Sequence, residues 1–182
     1  MPVYRLKNQM RWVAPSFFAE ETFAAYHGTG KTFDSFNLPN SVAQKNFLPF
    51  GIHFAADEST AKVYQKNNVP ILRANLTINR PLDCRKVVTK ADSEFKIVDF
   101  VMQNQRRGLL ALKRLFKMAE INNGFHVQSF LGEADTDVAE SALKAFGYDG
   151  VIYDLAHVRS WGDKSKSAVS YVVLATSQIE RV

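Results

Sequence analysis

The stretch Gly51-Ile52-His53-Phe54-Ala55-Ala56-Asp57 decides how the first half of the chain is interpreted. Its apolar run after a glycine predicts a short strand. Asp57 stands where the N-cap of a helix is expected, so one or two helical turns should follow over residues 59–65. Upstream, residues 22–27 read Thr-Phe-Ala-Ala-Tyr-His, which predicts another strand. Residues 28–30 are Gly-Thr-Gly, so this strand ends in a turn of small residues where a ligand can approach the backbone closely.

The rest of the chain combines strands with a long helical part. Alternating or short apolar runs predict three further strands, at 72–78, 150–153 and 170–174. Apolar residues at three- and four-residue spacing predict helix within 93–120. Asp137 and Glu140 resemble a capping box that opens another helix. Strands on both sides of a helical insert at about 85–146 predict an α+β fold rather than alternating βαβ units.

The composition narrows the class of protein. The chain has 182 residues, a net charge of +5 and one cysteine, Cys84. This length predicts one globular domain over 1–182, and no run approaches the ~20 apolar residues of a membrane span. No signal peptide is evident, so a cytoplasmic protein is expected. A metal site is not expected, because one cysteine cannot build a thiolate site and His53, His126 and His157 lack helical i,i+4 pairing with another ligand.

Several common site motifs are absent from the sequence. It has no Gly-x-Gly-x-x-Gly, no phosphate-binding P-loop and no Gly-x-Ser-x-Gly elbow, so doubly wound dinucleotide folds, P-loop enzymes and hydrolases with that elbow lack support. His27 has two interpretations, because it can hydrogen-bond a ribose hydroxyl or local backbone. Tyr64 also has two, since a tyrosine three residues after Ala61 on a helix is commonly a core residue with its hydroxyl at the surface.

Three segments, in this order, resemble the motifs of the NAD-dependent ADP-ribosyltransferases of the diphtheria-toxin and poly(ADP-ribose) polymerase type. They are Tyr26-His27-Gly28-Thr29, residues 51–57 with Tyr64, and Ser170-Tyr171-Val172-Val173-Leu174 with Gln178-Ile179. Residues 76–83 and 147–153 are similar to connecting segments of phage and mobile-element (polyvalent-protein) members. The resemblance implies an α+β fold in which two small, mostly antiparallel sheets form an NAD cleft beside the helical insert.

The resemblance also implies roles for single residues. It assigns NAD binding to His27, Gly28, Thr29, Gly51, His53, Phe54 and Tyr64. His27 would bind the adenosine ribose, and Gly28 and Thr29 would line the pocket. His53 and Tyr64 occupy the two positions whose rings sandwich nicotinamide in the family. The first of these is a tyrosine in the family, and imidazole can still stack.

One position departs from the family pattern. The third motif normally opens with a glutamate that supports the oxocarbenium-like transition state, and here Ser170 stands in its place. A serine cannot carry the negative charge. Asp163 and Asp154, from the loop before this strand, are the candidates for the missing acid, with Asp163 preferred. Either can also be a solvated loop residue, and the serine can instead leave a weakened or inactive enzyme.

Five cations fall between Gln103 and Met118, where there is no acid. They are Arg106, Arg107, Lys113, Arg114 and Lys117. The pattern is typical of an amphipathic surface helix. It also fits a face that contacts the phosphates of a nucleic-acid acceptor, or an acidic protein.

The function implied by the resemblance is transfer of ADP-ribose from NAD to a macromolecule, protein or nucleic acid, with release of nicotinamide. A phage or bacterial effector or toxin is the expected setting, and the sequence leaves open a cognate inhibitor protein as a partner. Two alternatives are kept. One is an NAD glycohydrolase that passes ADP-ribose to water, and the other is a catalytically silent module that binds NAD or nucleic acid.

Overall fold

The computed structural model of the chain describes residues 21–29, 34–36, 48–154 and 168–182. Within these ranges there are nine strands, numbered in chain order. They are β1 Glu21–His27, β2 Ile52–Ala55, β3 Leu72–Ile78, β4 Pro81–Asp83, β5 Val87–Val88, β6 Phe125–His126, β7 Gly150–Asp154, β8 Val169–Val173 and β9 Ile179–Arg181. The same ranges hold five α-helices. They are α1 Glu58–Lys62, α2 Phe95–Asn104, α3 Leu109–Ile121, α4 Val127–Glu133 and α5 Thr136–Ala145.

Seven of the strands form one sheet in the order β4-β7-β8-β2-β1-β3-β9, and β5 pairs with β6 alone. All neighbours in the large sheet are antiparallel except β4 and β7. The joint between β1 and β2 is narrow, because a single residue pair, Tyr26 with Ala55, connects them. We call β4, β7, β8 and β2 the large half of the sheet, and β1, β3 and β9 the small half. The expected two small sheets are thus joined into one seven-stranded sheet with a one-pair joint.

Each half of the sheet has its own hydrophobic core. On one side of the large half, buried residues of β7 and β8, such as Val151 and Val172, pack with buried residues of the helices, such as Ile97 and Leu143. The second core contains Leu76 of β3 and other buried residues of β1, β2 and β8. The helices α2–α5 lie in the chain between β4 and β7, and their buried residues form the first core together with the large half. The second core is formed by β1 and β3 of the small half together with residues of β2 and β8.

Local sequence signals explain where the helices begin and end. Asp57 caps α1 as expected, because its Oδ1 accepts a hydrogen bond from the backbone N–H of Thr60 at 2.8 Å. The long helical segment is divided in two at Gly108, whose φ of 66° lies in the left-handed region that glycine favours. The expected capping box was wrong in its position, since α5 begins at Thr136 and places Asp137 in its first turn.

No helix in the described ranges is both long enough and apolar enough to cross a bilayer.

Candidate active site

The narrow joint between the two halves of the sheet brings three strands together. Tyr26 at the end of β1 pairs with Ala55 of β2, and Ala55 pairs with Ser170 of β8. His27 follows Tyr26, and its Nδ1 lies 2.7 Å from the carbonyl oxygen of His53. A carbonyl oxygen only accepts, so Nδ1 carries the hydrogen and donates it. The sequence-predicted residues His27, His53 and Ser170 therefore meet at one place although they are distant in the chain.

The turn after β1 lies directly against the end of α1. A Cβ added to Gly28 would lie 2.0 Å from the carbonyl oxygen of Ala61 and 3.0 Å from Cβ of Tyr64, so only glycine permits this approach. The backbone N–H of Lys66 donates to the carbonyl oxygen of Thr29 at 3.2 Å. Tyr64 is 36% exposed, which places it between the core and the solvent beside Gly28. Both the ligand and the packing interpretations of Tyr64 are compatible with this position.

The imidazole of His53 is hydrogen-bonded through both ring nitrogens. Its Nε2 lies 3.1 Å from the carbonyl oxygens of Leu48 and of Phe50, and its Nδ1 lies 2.8 Å from the hydroxyl of Tyr153. Because carbonyl oxygens only accept, Nε2 carries a hydrogen. Burial lowers the pKa of His53 to about 4, while the two carbonyls act in the opposite direction. The ring is therefore neutral at pH 7, and Nδ1 accepts a hydrogen bond from Tyr153.

Tyr153 is the site residue that sequence reasoning missed. It lies in β7 opposite Ser170 of β8, and both residues are 2% exposed. Burial and the nearby Tyr64 raise the pKa of Tyr153, while the neighbouring Ser170 side chain acts in the opposite direction. The sequence contains one signal for this residue, a tyrosine near the end of a predicted apolar strand. Its relation to Ser170 depends on the register between β7 and β8, which no local pattern gives.

Two aromatic rings pack against the imidazole of His27. Its ring centroid lies 5.3 Å from that of Phe54 and 5.3 Å from that of Phe36. Burial lowers the pKa of His27, and its bond to the His53 carbonyl acts in the opposite direction. Phe54 is 2% exposed, so its main contact is with the core and with His27. Gly51 has a φ of 70°, and a Cβ there would lie 2.3 Å from Cγ1 of Val172, so it shapes the start of β2.

The structure describes one of the two candidate acids, Asp154. Asp154 ends β7, and its Oδ1 accepts a hydrogen bond from the backbone N–H of Ala168 at 3.1 Å. It also lies close enough to Arg85 to contribute to the raised pKa of that guanidinium, after the larger effect of Asp83. Asp163 lies outside the described residues.

The five cations of the insert lie on and before α3. Arg106 and Arg107 lie between α2 and α3, and Lys113, Arg114 and Lys117 lie on α3. All five are exposed. Leu112 and Ala119 are the buried residues of the helix, which packs against α2, α4 and β6. The exposed side also carries Leu110, Met118 and Ile121, so it is not purely basic.

Within the described ranges, no group of three or more His, Cys, Asp or Glu side chains is arranged to hold a metal ion.

Comparison with known proteins gives one family. The sequence model of the ADP-ribosyltransferases in polyvalent proteins matches residues 21–182. No curated protein matches the chain. Among solved structures, an anti-CRISPR protein superposes with a TM-score of 0.44 at 10% sequence identity, over 88% of this chain and 96% of that one. At this TM-score the likeness adds nothing to the assignment.

Proposed function

Because the chain belongs to the family of ADP-ribosyltransferases in polyvalent proteins, we propose that it transfers ADP-ribose from NAD to a macromolecular acceptor and releases nicotinamide. One observation supports a site for this reaction above all others. The first two motifs of the resemblance, around His27 and from Gly51 to Tyr64, come together at the joint between β1 and β2. Such a meeting point of strand ends and a glycine turn can accept a dinucleotide.

In this proposal His27 hydrogen-bonds the adenosine ribose. Its Nδ1 donates to the His53 carbonyl, so in the neutral ring Nε2 is the nitrogen that accepts hydrogen bonds. Gly28 and Thr29 line the pocket, where the absence of a side chain at Gly28 permits close approach. Tyr64 and His53 stack on nicotinamide. Gly51 and Phe54 support this site by setting the course of β2 and by packing under His27.

Breaking the bond between nicotinamide and ribose builds positive charge on the sugar, as in glycoside cleavage. A negative group nearby would stabilise that charge. Ser170 cannot supply it, since its buried side chain is neutral. We assign the acid to Asp163, with Asp154 as the alternative. The bond from Ala168 already occupies one oxygen of Asp154, which favours Asp163.

The acceptor would approach over the cations Arg106, Arg107, Lys113, Arg114 and Lys117. Their exposed positions and the net charge of +5 fit a polyanion, either a nucleic acid or an acidic protein. The family name places related domains in polyvalent proteins. An effector or toxin of phage or bacterial origin that acts in the cytosol is the setting we propose.

Ser170 favours a second candidate. With a neutral, buried hydroxyl at the position of the family's glutamate, the domain can bind NAD without cleaving it. A third outcome is hydrolysis of NAD, in which water takes the ADP-ribose.

The experiment that separates these functions uses NAD labelled in its ADP-ribose part. The protein is incubated with this NAD and a bacterial lysate, and the products are separated by size. Label on macromolecules supports the transferase, and free ADP-ribose supports the glycohydrolase. Unchanged NAD contradicts both enzymes. Nuclease or protease treatment then identifies the acceptor class. His27→Ala should abolish either signal, whereas His126→Ala, an exposed histidine on β6, serves as the matched control.

A further inference from the structure

We propose that Tyr153 is a positioning residue of the NAD site, which holds the His53 imidazole in one orientation through a hydrogen-bonded chain that runs from its hydroxyl through the ring to the carbonyl oxygens of Leu48 and Phe50. This inference rests on the proposed function only for what the ring does, namely to stack on nicotinamide. The chain itself is a property of the protein without ligand.

The two carbonyl oxygens at the end of the chain determine the direction of each hydrogen bond in it. The carbonyl oxygens of Leu48 and Phe50 accept from Nε2 of His53, so in the neutral ring Nδ1 must accept. The hydroxyl of Tyr153, 2.8 Å away, is therefore the donor. The phenol hydrogen of Tyr153 thus has Nδ1 as its acceptor, and the hydrogen on Nε2 is shared by two carbonyl oxygens.

The packing around the chain explains why it fixes orientation. The rings of His53 and Tyr153 are nearly perpendicular, at 85° with centroids 5.8 Å apart. Tyr153 and Ser170 are buried, and the paired strands β7 and β8 hold them opposite each other. A side chain bonded at both ring nitrogens cannot rotate about its Cβ–Cγ bond without losing bonds at both ends. The imidazole is therefore held by bonds from two sides.

A neutral, fixed ring suits the ligand proposed for this site. The nicotinamide ring of NAD carries a positive charge, which a protonated imidazole would repel and a neutral aromatic face attracts. The hydrogen bond from Tyr153 to Nδ1 stabilises the neutral form, because a protonated Nδ1 could not accept it. Ser170 lies opposite Tyr153 in the paired strands, so a neutral residue stands beside the phenol where the family has a glutamate.

The test is the Tyr153→Phe variant, with Tyr148→Phe as the control that removes a phenol elsewhere in the fold. In the ligand-free protein, nitrogen-15 NMR of the His53 ring should show Nδ1 moving toward the value of an unbonded ring nitrogen in Tyr153→Phe alone. The pKa of His53 should rise in the same variant. Affinity for NAD, measured by calorimetry, should fall about threefold to tenfold, the effect of one hydrogen bond.

An unchanged Nδ1 signal in folded Tyr153→Phe would overturn the chain. A shifted signal with unchanged NAD affinity would overturn the positioning role. Failure of the proposed NAD site gives a different result, because the wild type would then not bind NAD while the Nδ1 signal still responds to Tyr153→Phe. Circular dichroism and thermal unfolding confirm that each variant is folded before its signals are compared.

Discussion

Gly28 and Ala61 are in backbone contact: a Cβ on the glycine would lie 2.0 Å from the alanine carbonyl oxygen. This contact fixes the turn after β1 against the end of α1, and the same added Cβ would lie 3.0 Å from Cβ of Tyr64. Glycine at this position is therefore required by packing, independently of any ligand.

Gly28→Ala should displace the end of α1 and with it Tyr64, because the obstructing atom belongs to the backbone and cannot move aside alone. We expect NAD binding to be lost along with some stability. Gly108→Ala is the matched control. A Cβ there meets nothing within 4 Å, and its left-handed φ should cost about 1–2 kcal/mol without touching the site. Calorimetry with NAD and urea unfolding check both variants. Equal loss of NAD binding in the two would show that stability alone is responsible.

The lowered pKa values of His27 and His53 predict a pH-dependent stability. Burial is the main cause for both, and the pKa of His53 falls to about 4. Above the unfolded-state pKa of about 6.5 both states are neutral, so stability is constant there. As pH falls below that value the unfolded chain binds protons that the folded protein excludes. Stability should therefore decline from about pH 6.5 toward pH 4, by about 3 kcal/mol for His53 at the low end.

Urea unfolding at a series of pH values measures this decline. The range between about pH 6.5 and pH 5 is the most informative, because ordinary carboxyl groups titrate below it. His53→Gln removes the titration of this group and should flatten the curve, whereas His126→Ala on β6 should leave it unchanged. A wild-type curve that is flat over this range would contradict the neutral, buried imidazole.

The two candidate acids predict opposite outcomes for two isosteric substitutions. Asp163→Asn should reduce nicotinamide release about 100-fold, since it removes the charge proposed to stabilise the sugar cation. Asp154→Asn keeps an oxygen that can accept from Ala168 and should retain most activity. Initial rates of nicotinamide release decide between them. If Asp154→Asn loses activity and Asp163→Asn retains it, Asp154 is the acid. Full activity in both variants would exclude both residues.

The exposed cations of the insert predict a selective effect on the acceptor. Arg114→Glu combined with Lys117→Glu should lower the transfer of label to the acceptor at least tenfold, without changing NAD affinity, because neither residue lies at the joint of the sheet. Lys96→Glu on α2 is an exposed control that makes the same kind of charge reversal once. For a nucleic-acid acceptor the salt dependence of binding should also become shallower, by about 0.9 in the log–log slope for each lost phosphate contact. Unaltered labelling by the double variant would show that these two cations do not contribute to acceptor binding.

Local sequence signals predicted the parts of the site that depend on neighbours in the chain. Asp57 was placed correctly as an N-cap, because its capping bond reaches only to Thr60. The family resemblance predicted one site for His27, His53 and Ser170, and the pairing of β1, β2 and β8 places these residues close together. The helical part divides at Gly108, where glycine adopts a φ of 66° without strain.

Features that depend on strand register could not be predicted in the same way. Tyr153 joins the site because β7 and β8 align it with Ser170, and no spacing in the sequence reports that alignment. The same holds for the single pair, Tyr26 with Ala55, that connects the two halves of the sheet. The hydrogen bonds of His53 to residues 48 and 50 span only five and three residues, but the bend that allows them matches no motif of the sequence.

The central claim is that His27 belongs to a site that cleaves NAD. The most direct measurement is release of nicotinamide from NAD labelled in the nicotinamide ring, with purified wild-type protein, His27→Ala and His126→Ala in parallel. We expect nicotinamide release by the wild type and by His126→Ala. The rate should fall about 100-fold in His27→Ala, because the substrate would no longer be held in the reactive position. Equal release by His27→Ala, or no release by the wild type even when acceptor-containing lysate is added, would contradict the account.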